Sequence, residues 1–399
     1  MNKISNEELI QKAVITAESL ATAGKLNPAQ AEKFLDYVFE ETVLSKSART
    51  VRFRNEKLYV EKIGIGQRAA MPKEEAVDPG LRRGITTSRV TLQPKEVMVP
   101  VEIGDTFVEH NVEGNDVEDH IIKMFAKQLA NDLEELYILG NTLGPAAIEG
   151  DIVDGGSTTQ YIKDTYLALL NGWQYLAESG NQVDAAGANI GLGIFGKAIR
   201  AMPTKFRRNK KNLRFFMSPD LAQLYYEKMA TRASNLGDAA AEGMLVKPFG
   251  IPIIEVPVWN LQPTYVEHVQ LNGTTAVTLK NANVSDVVVL PSTLAKYPPQ
   301  TPYVSGTDYV LDASAGTIAR DAGGSIGDGD TVKVTYSASP KMILTHESNF
   351  IVAIGRDVRI ERGRDIFKGV NQYAITVKAD ANFEEASAIV NVKNIGTGV

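Results

Sequence analysis

The feature that most constrains this chain is an amphipathic stretch about a third of the way along it. Val117, Ile121, Phe125, Leu129, Leu133 and Leu136 recur every three or four residues, the spacing that lines up one face of an α-helix. Asp116, Glu118 and Asp119 crowd its first turn, where the positive end of the helix dipole favours acids. Gly140 stands where a C′ residue closes a helix. At 1.5 Å per residue the element runs roughly 30–36 Å, and it is the strongest helical signal in the chain.

Upstream, Ser5 to about Val43 reads as two helices. Asn27-Pro28 supplies an N-cap and a proline at the first helical position, with Gln30 where a capping box wants it. Phe34, Leu35, Val38 and Phe39 then follow helical spacing. Two extended segments come next. Val51 and Phe53 alternate with Arg52 and Arg54, and Leu58 to Ile63 continue in the same style. Val97, Val99, Val101 and Ile103 form a period-two row, in which Pro100 marks an edge strand or a bulge. Between them, Ala69–Gly84 is rich in charge, Pro and Gly. The pattern predicts a long two-stranded arm with a polar tip. Such a hairpin is rarely stable alone, so it needs a surface to lie on. At the tip, Arg82 and Arg83 near Glu74, Glu75 and Asp78 fit charge-paired contacts between subunits, each pair contributing about 0–1 kcal/mol.

Further on, helices are expected over Thr165–Glu178, followed by Gly180, over Ile194–Met202, stopped by Pro203, and over Pro219–Met229. Leu213–Met217 reads as a strand and Ile251–Val258 as an extended run. From about Gln262 to Pro340 the residues are mostly Thr, Val, Gly, Ser, Asp and Pro, with no helical period. Val269–Leu271, Ala276–Leu279, Val287–Leu290, Tyr309–Leu311 and Val332–Tyr336 read as short strands, as in a small immunoglobulin-like β-sandwich. From Met342 the earlier style resumes through Phe350–Ile354, Val358–Glu361 and the alternating Tyr373–Val392. The class is α+β, with an all-β unit inserted into an interrupted domain.

The 399 residues are ample for a large core and suggest two or three compact units. Without cysteine, disulfides, thiolate metal sites and cysteine nucleophiles are excluded, and assembly in a reducing cytoplasm is the natural reading. A net charge of −6 argues against a protein that condenses nucleic acid, so any DNA contact should be loose and local. No apolar run is long enough to cross a bilayer, and the N-terminus lacks a signal-peptide pattern. His110, His120, His268 and His346 form no i,i+4 pair and no cluster with carboxylates.

Gly191-Leu192-Gly193-Ile194-Phe195-Gly196-Lys197 matches G-x-G-x-x-G and approaches a Walker A loop. Ala198 stands where Ser or Thr must hold Mg²⁺, and the polar Asn181–Asn189 is a poor strand. The match reads as a glycine-rich turn entering a short helix, with a nucleotide-binding enzyme as the alternative. Asp321 and Asp328-Gly329-Asp330 fail calcium-loop spacing and read as a hairpin turn. The run Lys205, Arg207, Arg208, Lys210 and Lys211 fits nucleic acid on one reading and a solvated or subunit-contact patch on another. The acidic whole favours the second.

The order of elements resembles the tailed-phage major capsid protein family, a fold shared with encapsulins and herpesvirus capsid floor domains. The resemblance rests on the helix ending Leu133-Glu134-Glu135-Leu136-Tyr137-Ile138-Leu139-Gly140-Asn141, and on Met202-Pro203-Thr204-Lys205-Phe206-Arg207-Arg208 leading to Leu213-Arg214-Phe215-Phe216-Met217-Ser218-Pro219. Tyr225-Tyr226-Glu227-Lys228-Met229, Phe249-Gly250-Ile251-Pro252-Ile253-Ile254-Glu255-Val256-Pro257 and Asn349–Arg356 extend it. It covers nearly everything except Gln262–Pro340. The resemblance implies an N-terminal helical arm (1–50), an E-loop β-hairpin (51–110), a peripheral domain with a spine helix (111–190), and an axial domain (191–261). An inserted Ig-like β-sandwich (262–340) and return strands of the axial and peripheral domains (341–399) complete it. It further implies a self-assembling icosahedral shell of hexamers and pentamers, with no catalytic site, cofactor or metal. Expected partners are a separate scaffolding protein, a portal and loosely held double-stranded DNA, without a membrane. The expected location is the virion capsid, assembled in the host cytoplasm. Expected interface residues are Arg52, Arg54, Lys73, Glu74, Glu75, Asp78, Arg82, Arg83, Arg207 and Arg208. Lys73 suits a crosslinking E-loop lysine, but its acid and asparagine partners find no match. An encapsulin-type compartment remains the alternative shell.

Overall fold

The computed structural model describes residues 44–53, 57–64, 86–104, 117–148, 161–208, 210–231, 247–292, 300–365, 367–368 and 370–398. The two predicted N-terminal helices, over Ser5 to about Val43, lie outside them. The described chain opens with α1 (Leu44–Ser47), β1 (Arg49–Arg52), β2 (Leu58–Gly64), β3 (Thr86–Leu92) and β4 (Lys95–Gly104). The long helix α2 follows over Val117–Leu139, 23 residues, or about 35 Å at 1.5 Å per residue. Leu129, Leu133, Leu136 and Tyr137 form its buried face. Buried Glu134 on the same helix accepts the Leu44 N–H at 3.0 Å, capping α1.

Gly140 ends α2, but not in the left-handed conformation expected of a C′ glycine. It is required by close approach. A Cβ there would sit 2.5 Å from the Leu136 carbonyl oxygen and 2.7 Å from that of Leu170. Gly172 meets it from the other side, donating to the Gly140 carbonyl at 2.7 Å. This contact also explains why the predicted helix over Thr165–Glu178 does not form. After β5 (Ala146–Ile148) and β6 (Tyr161–Lys163), the chain makes turns and then only α3 (Trp173–Leu176) with a 3-10 turn over Ala177–Ser179. Asp164 accepts the N–H groups of Tyr166 at 2.9 Å and Leu167 at 3.0 Å, a side-chain turn that competes with helix. The Leu167 carbonyl is taken by Asn141 at 2.8 Å. The backbone here is committed to the end of α2.

Next come β7 (Asn181–Asp184), α4 (Leu192–Ala201), α5 (Thr204–Arg207), β8 (Leu213–Met217), α6 (Pro219–Ala230) and β9 (Ile253–Glu255). Ser218 caps α6 through its hydroxyl, which accepts the Leu221 N–H at 3.3 Å, and Pro219 opens the helix. The inserted stretch carries β10 (Thr264–Gln270), β11 (Val277–Thr278), β12 (Ser285–Pro291), β13 (Tyr309–Asp312), β14 (Thr317–Arg320) and β15 (Thr331–Ser337). Of these, β14 was not anticipated as a strand. The chain closes with β16 (Met342–His346), β17 (Phe350–Asp365), β18 (Val370–Phe383) and β19 (Val390–Lys393). The two segments expected at Phe350–Ile354 and Val358–Glu361 are one strand, interrupted by register shifts between Ile354 and Arg359.

Four strands form the main sheet in the order β1-β17-β18-β4. Its inner face, with Val97, Ile354, Val358, Ile375 and Val377, shares one core with Leu129, Leu133 and Leu136 of α2. Trp173, Phe216, Phe350 and Phe383 fill the same core. Rings of Phe216 and Phe350 meet edge to face at 4.8 Å, as do those of Trp173 and Phe350. Pro100 does lie on an edge strand, opposite Ala374. The hairpin arm, however, is β2 with β3, not β2 with the Val97–Ile103 row. That row is β4 and joins β18. A second sheet, β7-β19-β16-β8-β9, packs Phe215, Met217, Met342 and Leu344 against α4 and α6.

The inserted stretch makes two antiparallel three-stranded sheets, β10-β15-β12 and β11-β14-β13, around its own core of Val269, Leu279, Val289, Ile318, Val334 and Tyr336. Lys333 lies between the core residues Val332 and Val334, and its Nζ donates to the Leu143 carbonyl at 2.6 Å. The Thr335 hydroxyl accepts the Ala146 N–H at 3.4 Å. Tyr161 and Gln300 exchange two backbone bonds of 2.9 Å each, and Lys280 pairs with Glu178 at 2.9 Å. Where the chain returns to the parent, Lys341 is only 3% exposed. Its ammonium lies 4.7 Å from the Tyr265 ring centroid and 3.5 Å from the Gln174 carbonyl.

Leu136→Ala should cost about 2–5 kcal/mol, read by denaturant unfolding as a lower midpoint at unchanged slope. Burial pushes the Lys341 ammonium down to about 7 from 10.5. Between those values the unfolded chain holds the proton and the folded chain has released it, so stability rises with pH across that window. Lys341→Met should flatten this rise, with a Tm gain over wild type that is larger near neutral pH than at about pH 10.

Candidate assembly surfaces

Hairpin β2–β3 is built as an amphipathic ribbon. Leu58 faces Leu92 and Val60 faces Val90 across the pair. Leu58, Val60 and Leu92 pack on Ile351 and Ala353 of β17, with Val51 and Phe53 beside them. The alternate residues face outward. Tyr59 is 47% exposed, and the Arg89 guanidinium lies 4.9 Å from its ring centroid. Two hydrogen bonds tie the ribbon's root to β18: the Gln93 N–H donates to Asp380 at 2.6 Å, and Asn382 donates to the Thr91 carbonyl at 3.4 Å. The predicted polar tip, Ala69–Gly84, lies outside the described residues, and with it Lys73, Glu74, Glu75, Asp78, Arg82 and Arg83. Arg54 does too. Arg52 sits exposed at the end of β1, opposite Ile354.

The face of the main sheet turned away from α2 is a second surface. Met98 is 58% exposed there. Arg356 pairs with Glu96 and donates to the Thr376 hydroxyl at 2.8 Å, while Lys378 lies 3.6 Å from Glu96. The hydrogen bond from Arg356 holds the Glu96 carboxyl below the usual carboxylate range. At the β17–β18 turn, Asp365 accepts the N–H groups of Phe367 and Lys368 at 3.0 and 3.3 Å, and the Phe367 side chain is fully exposed. This surface was not anticipated. Its signal was the pair Arg356 and Arg359, with Glu361 beside them, in a segment read only as closing strand.

Arg207 and Arg208 lie elsewhere, at the C-terminal end of α5. Arg207 donates to the Ile199 carbonyl at 3.5 Å, and Arg208 is exposed. Lys205 covers the Phe206 ring at 4.4 Å. His346 Nε2 lies 3.1 Å from the Phe206 carbonyl oxygen, and Arg214 pairs with Glu347 at 3.4 Å. The fold therefore separates Arg52, on the main sheet, from Arg207 and Arg208, at the end of the second sheet.

The glycine-rich match resolves into helix. A strand does precede it, contrary to expectation: β7 runs parallel to β19 as an edge of the second sheet. Yet Gly193 and Gly196 lie inside α4, and the N–H groups of Ile194 and Phe195 already donate to the Gly191 carbonyl at 3.0 and 3.4 Å. Those donors do not converge on a phosphate. In the Asp328–Asp330 turn, Asp328 accepts the Gly273 N–H at 2.6 Å and Asp330 that of Gly327 at 2.8 Å. These carboxylates hold the turn. Among the described residues no group of three His, Asp or Glu is placed to hold a metal, and no helix is long and apolar enough to cross a membrane.

No protein-family model matches the chain. It is 29% identical over 392 residues to the "Putative prophage capsid protein YqbE" of Bacillus subtilis (strain 168), spanning 98% of this chain and 99% of that protein. Among solved structures it superposes on a chain of the satellite phage P4 procapsid including size determination (Sid) protein, with a TM-score of 0.54 and 11% identity. That match covers 98% of this chain and 95% of the other. Along nearly its whole length, the chain has the fold of the tailed-phage major capsid proteins.

Proposed function

We propose that this chain is the major capsid protein of a tailed phage, a structural subunit that self-assembles into the icosahedral head shell enclosing double-stranded DNA. The observation that carries the reading is the end-to-end likeness, 98% of the chain, to a prophage capsid protein. An amphipathic hairpin rooted in the subunit core supports it. On this reading residues 1–50 are an arm, 51–110 contain the E-loop, and 111–190 form the peripheral domain around α2. Residues 191–261 form the axial domain, 262–340 an Ig-like insertion, and 341–399 the return strands. Within 51–110 only β2 and β3 form the arm, because β4 belongs to the main sheet.

The mechanism is geometric. The arm reaches across a neighbouring copy, with Arg54, Lys73, Glu74, Glu75, Asp78, Arg82 and Arg83 in its contacts and Arg52 near its root. Exposed ion pairs of this kind set register more than energy. Closed symmetry then does what single contacts cannot, since each further contact of a docked subunit forms at high effective concentration. Assembly in the host cytoplasm with a separate scaffolding protein and a portal completes the scheme, and packaged DNA touches the subunits loosely.

Replacing Ala69–Gly84 by a short Gly-Ser turn should leave folded monomers that form no closed shells, scored by size exclusion and negative-stain electron microscopy. Normal particles from that variant would remove the arm from the mechanism. Wild-type chains that form no shells or rings, even beside the neighbouring gene products, would overturn the reading itself.

A further inference from the structure

Between Asp184 and Asp220 the chain has no acidic residue. The same stretch exposes Lys197, Arg200, Lys205, Arg208, Lys210 and Lys211. The fold brings the last turn of α4, α5 and the turn before β8 together at one end of the second sheet. Arg207 bonds the Ile199 carbonyl, which brings α5 back over the last turn of α4. Arg214 donates to the carbonyls of Lys211 and Leu213 at 2.6 and 2.9 Å, fixing the turn that leads into β8. Among the described residues of this stretch, Arg214 alone has a carboxylate partner, Glu347 at 3.4 Å. Aromatic surface lies between the charges. The position of a Cβ on Gly196 is 3.4 Å from Arg200 Nη1 and 3.8 Å from the Phe249 ring, and Phe249 is 55% exposed.

Like charges collected with a single carboxylate partner among the described residues repel one another, and an acidic surface that docks there relieves the repulsion. The whole chain carries −6 at neutral pH. With so many bases confined to this stretch, the remainder is more acidic than the total suggests. Within the patch, Arg200, Arg208 and Phe249 are of residue types enriched at protein–protein contacts, while its lysines suit a polar rim. In a shell, the acidic surface present at high effective concentration is that of another copy.

We infer that the cationic cap formed by the end of α4, α5 and the turn before β8 docks an acidic surface of a second copy of this chain. The inference rests on the shell-subunit reading and names one of its contacts.

The test compares wild type with Arg200→Gln/Arg208→Gln/Lys211→Gln, three exposed positions, after circular dichroism and thermal unfolding show that the variant is folded. If the triple variant is unfolded, the same comparison uses Arg208→Gln alone. Shell yield is measured by sedimentation, and binding to a short DNA duplex by fluorescence anisotropy. Wild-type yield should fall as salt rises from about 50 to 500 mM. The variant should lose about tenfold in yield at low salt, with its weak DNA binding little changed. Equal yields from variant and wild type would overturn the inference and leave the shell reading standing. Intact yield with about tenfold weaker DNA binding would also overturn it, assigning the cap to DNA phosphates. Absence of shells from wild type under every condition would overturn both.

Discussion

Strands β8 and β16, with the first half of β17, are buried on both faces, and the rest of the chain is arranged around that condition. In β8 and β16, Phe216 and Ile343 enter the core shared with α2, while their neighbours Phe215, Met217, Met342 and Leu344 enter the core under α4 and α6. In β17, Phe350, Val352 and Ile354 face α2, whereas Ile351 and Ala353 face the root of the hairpin. A one-residue slip in any of these strands would exchange its two cores. The register is therefore held from both sides. The aromatic contacts among Trp173, Phe350 and Phe216 lie where the helical and sheet layers meet, so they couple the two sheets as well as filling space. The pairing of β8 with β16 joins residues far apart in sequence. The second sheet is thus complete only after the inserted stretch has been passed, a non-local arrangement of the kind that slows folding.

Much of this was legible in the sequence, and the failures have definite causes. The α2 pattern could be read because its apolar residues are spaced for one face over many turns. Pro219 after Ser218 and Pro203 after Met202 marked helix limits through local chemistry alone. Pairing partners were harder. The Val97–Ile103 row has a stronger period-two signal than Thr86–Leu92, so it looked like the arm's second strand. The weaker segment is the true partner because much of β3 faces outward and its polar residues suit that exposure. The apolar residues of Thr165–Glu178 are indeed mostly buried or half-buried. But Asp164 and the Gly140–Gly172 approach fix the backbone, and neither signal is a periodicity. Of the candidate contact residues, Arg52, Arg207 and Arg208 are placed, and they fall on two separate surfaces because charge runs in sequence carry no information about which face a fold will present.

The inserted stretch shows the opposite balance of forces. It has its own apolar core, yet its attachment to the parent is polar. Lys333 reaches the Leu143 carbonyl, Thr335 receives Ala146, and Lys280 meets Glu178. Burying a lysine is unfavourable unless its ammonium is hydrogen-bonded or loses its proton, and burial does lower the Lys333 ammonium to about 8. The junction is geometrically specific because so few arrangements satisfy these groups at once. That specificity carries an electrostatic cost which apolar contacts of similar shape would avoid.

The anchoring of the hairpin has a mechanical side. Its root is clamped by apolar contacts to β17 and by hydrogen bonds from Gln93 and Asn382 that span to β18. A pull on the far end of the ribbon is therefore delivered to strands that are themselves wedged between two cores. Force entering there is shared across both packed layers, so a load on the ribbon is borne by the core and not by the hairpin's base alone.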